Sequence, residues 1–201
     1  QIINSNKALS EIANEQWQLI QFEQAERVVY GSNQSDELVG ITPFQGGWTH
    51  EWFAGGSGED LILGGGGRDQ LLGGTGDDTL RAGHGKDAID GGEGEDVLYG
   101  GGGSNTFANN NDGYLDELYI LSDHHSHYFE WGRNHNGANA DTILSLGAED
   151  RITILGTTRD ELSISEISDG IGIFASNSLE VIVTDDSWTI DSLESRLSAD
   201  A

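Results

Sequence analysis

The chain has no cysteine, no methionine, few basic residues, and no apolar run approaching the ~18 residues that cross a bilayer as a helix. Without cysteine, no disulfide can brace the fold. A chain with no methionine even at residue 1, and no signal-like segment at its start, reads as part of a longer polypeptide or a processed product. Nine basic residues stand against 35 acidic ones, a net charge of −26. Nucleic-acid phosphates and anionic membrane surfaces repel such a chain, so neither is an expected partner. The same charge opposes compaction, and the metal-free chain is expected to be expanded or partly unfolded. Enzyme motifs are missing as well: His50-Glu51 is followed by WFA rather than by the rest of H-E-x-x-H, and no G-x-S-x-G occurs. No catalytic residue is assigned.

What the chain does have is glycine and aspartate in strict phase. From residue 55 to 108 a nine-residue unit repeats six times: GGSGEDLIL, GGGGRDQLL, GGTGDDTLR, AGHGKDAID, GGEGEDVLY and GGGGSNTFA. A disordered linker shares this composition but not this phase. Glycines at positions one, two and four let the first six residues turn tightly. The last three form a short strand whose middle residue is apolar: Ile62, Leu71, Leu80, Ile89, Leu98 and Phe107. One inward residue per strand implies two short parallel sheets back to back, with two units making one coil.

Loops eighteen residues apart then stack on one edge. Asp60, Asp78 and Asp96 lie above one another, as do Asp69, Asp87 and Asn105 on the other edge. Stacked carboxylates repel and call for a hard cation. Calcium takes roughly 6–8 oxygen ligands in a flexible shell, whereas magnesium holds a tighter octahedron and keeps its water. Calcium is therefore the expected cofactor.

These residues resemble the RTX calcium-binding repeat, G-G-x-G-x-D-x-U-x with U apolar, and the resemblance covers 55 to 108 closely. It implies an all-β fold, a right-handed parallel β-roll. It also implies that each ion is held by the position-six Asp and the position-two and position-four carbonyls of one loop, and by the equivalent loop two units away. Carried onto this chain, the position-two residues are Gly56, Gly65, Gly74, Gly83 and Gly92, and the position-four residues are Gly58, Gly67, Gly76, Gly85 and Gly94. Asp60 with Asp78, Asp69 with Asp87, and Asp78 with Asp96 give about three well-formed sites. Asn105 removes a charge and weakens the site it shares with Asp87, so one or two weaker sites accompany the three. Ala82 replaces a first-position glycine. The resemblance further implies an extracellular or cell-surface module that folds on calcium, supports type I secretion, and stabilises an upstream domain of the same polypeptide.

The flanks divide the chain into a lead and cap (1–54), the roll (55–108) and a β-rich C-terminal cap (109–201). Ala8, Leu9, Ile12, Ala13, Trp17 and Ile20 predict an amphipathic helix over 6–22 that covers the first coil. GGWTHEWFA places Glu51 at position six of a degenerate unit, with Thr49 where a loop glycine belongs, and reads as a capping turn. GSNQSDELV places Asp36 and Leu38 in register before the phase slips, which leaves calcium there doubtful. Beyond 108 the phase is lost, and strand-like runs follow at 118–122, 127–131, 141–146, 150–155, 162–165, 170–175 and 179–184. A helix is expected from Thr189 to Ser198 with Ile190, Leu193 and Leu197 on one face. DTILSLGAEDRITILG is similar to the D-x-I-x-x-F-x-x-G-x-D-x-I motif that follows many RTX rolls, with Leu146 for the usual Phe.

Two further groups invite a functional reading. Asp123 to His127 holds three histidines, which could bind zinc, nickel or copper or simply form a polar loop. His84 occupies a variable loop position and reads as solvent-exposed. Trp48, Trp52, Tyr128, Phe129 and Trp131 could stack on a glycan, which makes a glycan- or surface-binding module the competing class, or they could pack within the cap. Leu61 and Leu63 are apolar outward positions, suited to docking the N-terminal lead or Trp48 and Trp52. Position three shows no Thr or Asn ladder, which disfavours ice binding.

Overall fold

The computed structural model describes residues 27–41, 50–108, 113–122, 140–176, 178–184 and 187–200. The helix expected at 6–22, the histidine cluster at 123–127, the strand at 127–131, and Trp48, Tyr128, Phe129 and Trp131 lie outside the described residues. The described chain is an all-β parallel β-roll of two sheets.

Strands alternate between the sheets along the chain. The nine-stranded sheet takes β1 (Arg27–Tyr30), β3 (Glu51–Ser57), β5 (Gln70–Thr75), β7 (Ala88–Glu93), β9 (Thr106–Ala108) and β11 (Asp141–Ser145), all parallel. The seven-stranded sheet takes β2 (Glu37–Val39), β4 (Leu61–Gly67), β6 (Thr79–Gly85), β8 (Val97–Gly103), β10 (Glu117–Leu121), β12 (Arg151–Leu155) and β16 (Leu197–Asp200), also parallel. Between β12 and β16, a hairpin pair β13 (Leu162–Ile167) and β14 (Gly170–Ala175) leads to β15 (Ser178–Val183), which returns parallel to β11. A short helix α1 (Ile190–Glu194) follows.

The nine-residue phase ends at 108, but the coil does not. Asp116 precedes β10 and Asp141 opens β11, which stack parallel on the repeat block, and Asp150 precedes β12, which stacks parallel on β10. Spacer length varies there without altering the D-x-apolar start of each strand, so coiling survives where periodicity fails. The register aligns the inward residues in two columns. Phe53, Leu71, Ile89, Phe107 and Ile143 are neighbours in one sheet, and Leu38, Ile62, Leu80, Leu98, Leu118, Ile152 and Leu197 in the other. Both columns belong to one continuous apolar cluster. Each fully buried Leu, Ile or Phe contributes about 1.5–3 kcal/mol.

Three local expectations change. Strand pairing runs past the tripeptide into the glycines, as in Gly65 with Gly83 and Gly67 with Gly85, because bare backbones of adjacent coils can approach through the corner. The C-terminal helix spans only 190–194; Leu197 begins β16 and pairs with Ile152, where burial against the core outweighs continuation of the helix. Trp52 lies near Tyr30, with ring centroids 6.4 Å apart, in the sheet opposite Leu61 and Leu63, so it does not dock on them. Leu146 is buried, and the Trp188 indole donates to its carbonyl at 3.0 Å, packing an aromatic against the core beside the motif's missing Phe.

Candidate metal centres

Each position-six acid is fixed by the strand that follows it, whose inward neighbour anchors the corner in the core. Asp60, Asp69, Asp78, Asp87, Asp96 and Asn105 are all buried. One side-chain oxygen of each rung accepts the backbone N–H of the corresponding residue one coil earlier. Asp36 donates to Asp60 at 2.8 Å, Asp60 to Asp78 at 2.7 Å, Asp78 to Asp96 at 2.8 Å and Asp96 to Asp116 at 2.7 Å. On the other edge Glu51 donates to Asp69 at 2.9 Å, Asp69 to Asp87 at 2.8 Å, Asp87 to Asn105 at 3.2 Å and Asn105 to Asp141 at 2.6 Å. The two stacks expected from the eighteen-residue spacing are thus present, and both extend beyond the repeat. Asp116 in turn donates to Asp150 at 3.2 Å.

The second oxygen separates the rungs. Oδ2 of Asp60, Asp69, Asp78 and Asp87 is buried with no hydrogen-bond donor. A carboxylate oxygen buried without a partner is costly. At the ends the same oxygen is satisfied by the chain itself. Asp36 Oδ2 accepts from the Ser32 backbone at 2.6 Å and its hydroxyl at 2.8 Å, and Asp150 Oδ2 accepts from the Gly147 N–H at 2.6 Å. Glu51 accepts from the Ile41 N–H and pairs with the Arg27 guanidinium, each at 2.7 Å.

Carbonyl oxygens crowd the orphan carboxylates. A Cβ placed on Gly55 would meet both Asp60 Oδ2 and the Gly73 carbonyl. One on Gly64 would meet Asp69 Oδ2 and the Ala82 carbonyl, and one on Gly73 would meet Asp78 Oδ2 and the Gly91 carbonyl. Oxygens converging without a hydrogen between them fit a hard cation. These carbonyls come from position one of the next coil, a donor that sequence reading did not single out. No group of three or more His, Cys, Asp or Glu side chains converges among the described residues, so a cation here would draw the rest of its shell from backbone carbonyls and water.

The glycine positions divide by role. Gly56, Gly58, Gly65, Gly67, Gly74, Gly76, Gly83, Gly85, Gly92 and Gly94, at positions two and four, all have positive φ. Position one does not; a Cβ at Gly55, Gly64 or Gly73 would crowd the carboxylate and carbonyl packed over it, yet Ala82 carries one at the same position of its unit. Ala82 therefore keeps ordinary dihedrals, since Ser176 is the sole non-glycine with positive φ among the described residues.

Electrostatics in the metal-free fold follow from this burial. Desolvation pushes Asp69 up to about 8, with the charges of Asp87 and Glu51 adding and the Glu51 N–H opposing. Burial likewise raises Asp78 and Asp87 to about 7, and raises Asp60. A divalent ion would reverse the sign of this environment and hold the same groups ionised.

Asp116, Asp141 and Asp150 are rungs that the nine-residue phase does not mark, although each opens a D-x-apolar triplet; Asp36, in register within its own unit, donates its N–H to Asp60 at the end of the same stack. His84 is exposed, as expected, but it lies within β6, paired with Gly66 and Gly102, and not in a loop. Trp52 is buried, which removes it from any glycan platform. No curated protein matches the chain. Residues 45–80 and 72–107 each match the family described as the RTX calcium-binding nonapeptide repeat (4 copies), and the segment 45–107 is a block of RTX calcium-binding repeats.

Proposed function

We propose that the chain is a calcium-dependent module of a larger secreted or surface protein. It folds when it meets extracellular calcium, supports type I secretion of the polypeptide that carries it, and stabilises the domain upstream. The observation that carries the reading is the row of buried, donorless carboxylate oxygens on Asp60, Asp69, Asp78 and Asp87. Calcium bound there supplies the positive charge that a chain of −26 lacks, and much of the folding free energy with it.

The three best sites pair Asp60 with Asp78, Asp69 with Asp87, and Asp78 with Asp96. Carbonyls of Gly56, Gly58, Gly65, Gly67, Gly74, Gly76, Gly83, Gly85, Gly92 and Gly94 complete the shells, together with the position-one carbonyls of Gly73, Ala82 and Gly91. Asn105 contributes to a weaker site. The role is structural rather than catalytic. Circular dichroism during chelator titration tests the reading: loss of β signal in excess EGTA and its return with calcium are expected, and an unchanged signal would overturn the calcium dependence.

A further inference from the structure

Position five of the repeat, immediately before each ladder acid, sorts by edge. On the edge of Asp60, Asp78 and Asp96 it is Glu59, Asp77 and Glu95, with Glu149 preceding Asp150 in the same stack. On the other edge it is His50, Arg68 and Lys86, preceding Glu51, Asp69 and Asp87, while uncharged Ser104 precedes Asn105 there and uncharged Leu115 precedes Asp116 on the first edge. The titratable side chains of both rows are exposed. The rows have order of their own. The Glu95 N–H donates to Asp77 Oδ1 at 3.0 Å on the acidic side, and the Arg68 N–H donates to His50 Nδ1 at 3.1 Å on the basic side.

Two more features of the basic side point the same way. Arg27 neutralises Glu51 at one end of its ladder, and Asn105 replaces a carboxylate farther along. With nine basic residues in the whole chain, the gathering of Arg27, Arg68 and Lys86 on one edge weakens cation binding there.

We propose that the two edges are two classes of calcium site. The Asp60–Asp78–Asp96 edge fills first, and the Asp69–Asp87 edge fills at higher calcium, so the roll has a half-loaded state with its acidic edge saturated. This rests on the calcium reading above. A single charge one residue from the ligand acts on a divalent ion across several ångströms of mostly aqueous dielectric. That changes affinity roughly two- to tenfold per charge, more at low ionic strength and less in salt. Three negative charges on one edge and two positive charges, Arg68 and Lys86, on the other separate the classes well beyond the effect of one.

The test uses the full chain, stripped of metal and titrated with calcium by isothermal calorimetry at low and at high salt. Two phases are expected, drawing closer in salt. Glu59→Gln, Asp77→Asn and Glu95→Gln together weaken the tight phase at least tenfold and leave the weak phase within about twofold. Arg68→Gln with Lys86→Gln tightens the weak phase instead. Anomalous scattering from crystals grown at limiting calcium shows ions on the acidic edge alone, and at saturating calcium on both. Equal occupancy of the edges at limiting calcium, or shifts of the same size and sign from the two sets of variants, overturns the assignment. Absence of any calcium binding removes the reading beneath it and the proposal together.

Discussion

The Arg27 guanidinium lies 2.7 Å from Glu51 Oε1, at a rung whose neighbours on the same edge, Asp69 and Asp87, each keep one donorless oxygen. The protein's own cation stands here where the next rungs invite a metal. Arg27→Met removes it and leaves a buried carboxylate without its ion pair. Because the arginine is partly exposed, the loss of stability in EGTA is expected at the lower end for such pairs, about 1–3 kcal/mol by urea denaturation. Calcium should recover more stability in this variant than in the parent. An identical calcium response in both would show that Glu51 cannot accept an ion even when its partner is gone.

Acid should partly replace calcium. The unfolded chain releases the protons of Asp69, Asp78 and Asp87 near 3.8, while burial in the metal-free fold holds them to about 8 for Asp69 and about 7 for the other two. Between these values the folded state binds more protons than the unfolded one, so stability falls as pH rises. The contribution is fully present below about 4 and is lost through the range 7 to 8. Calcium should reverse the slope above pH 5, because the ion needs the ionised form and displaces protons. Thermal melts across pH 4 to 8, with EGTA and with calcium, check the sign. A metal-free fold that gains stability toward pH 8 would contradict it.

Glycine at position two and glycine at position one fail differently. Gly83 has φ 107°, and a Cβ there would also meet the Gly65 carbonyl of the preceding coil. Gly83→Ala should cost upward of ~2 kcal/mol, combining left-handed strain with a backbone clash. Ala82→Gly, one residue earlier, should cost only ~0.4–1 kcal/mol through the entropy of the unfolded chain. Paired chemical denaturation in saturating calcium measures the difference. Similar losses at both positions would mean that the corner tolerates a side chain at position two.

Phase made the centre of the roll readable, and phase is why the ends were not. Ile62, Leu71, Leu80, Ile89, Leu98 and Phe107 recur at nine residues, so sheet number, inward column and loop stacking follow from counting alone. Asp141 answers to Asn105 across 36 residues and Asp150 to Asp116 across 34, distances that no fixed period reveals. What those rungs share with the repeat is only the triplet of acid, any residue and apolar residue. The Arg27–Glu51 pair is hidden for a similar reason: its partners are 24 residues apart, and only coil stacking makes them neighbours. The charge alternation at position five stood in plain view, as E, R, D, K and E, but it acquires meaning only once odd and even units face opposite edges. Position-one carbonyls carry no side-chain signature, and only the backbone path reveals them.

Asn105 supplies the most direct count of ions. Its Oδ1 accepts the Asp87 N–H at 3.2 Å, as an aspartate would, while its Nδ2 is buried without an acceptor. A Cβ on Gly100 would lie 2.9 Å from that nitrogen and 3.3 Å from Asp141 Oδ2, so the amide points into the space where other rungs gather oxygens. A donor there takes the place of an oxygen that other rungs offer, which is why the site shared with Asp87 is the weaker one. Asn105→Asp should therefore tighten this weak site and add one calcium per chain at a limiting calcium concentration that leaves it empty in the parent, counted by native mass spectrometry. In EGTA the same substitution buries a further carboxylate beside Asp141 and should lower stability by about 1–3 kcal/mol. With calcium at a hundred times the new site's dissociation constant, mass action returns roughly 2.7 kcal/mol, enough to offset that loss. An unchanged ion count, with the fold intact, would mean that the amide is not what weakens this rung.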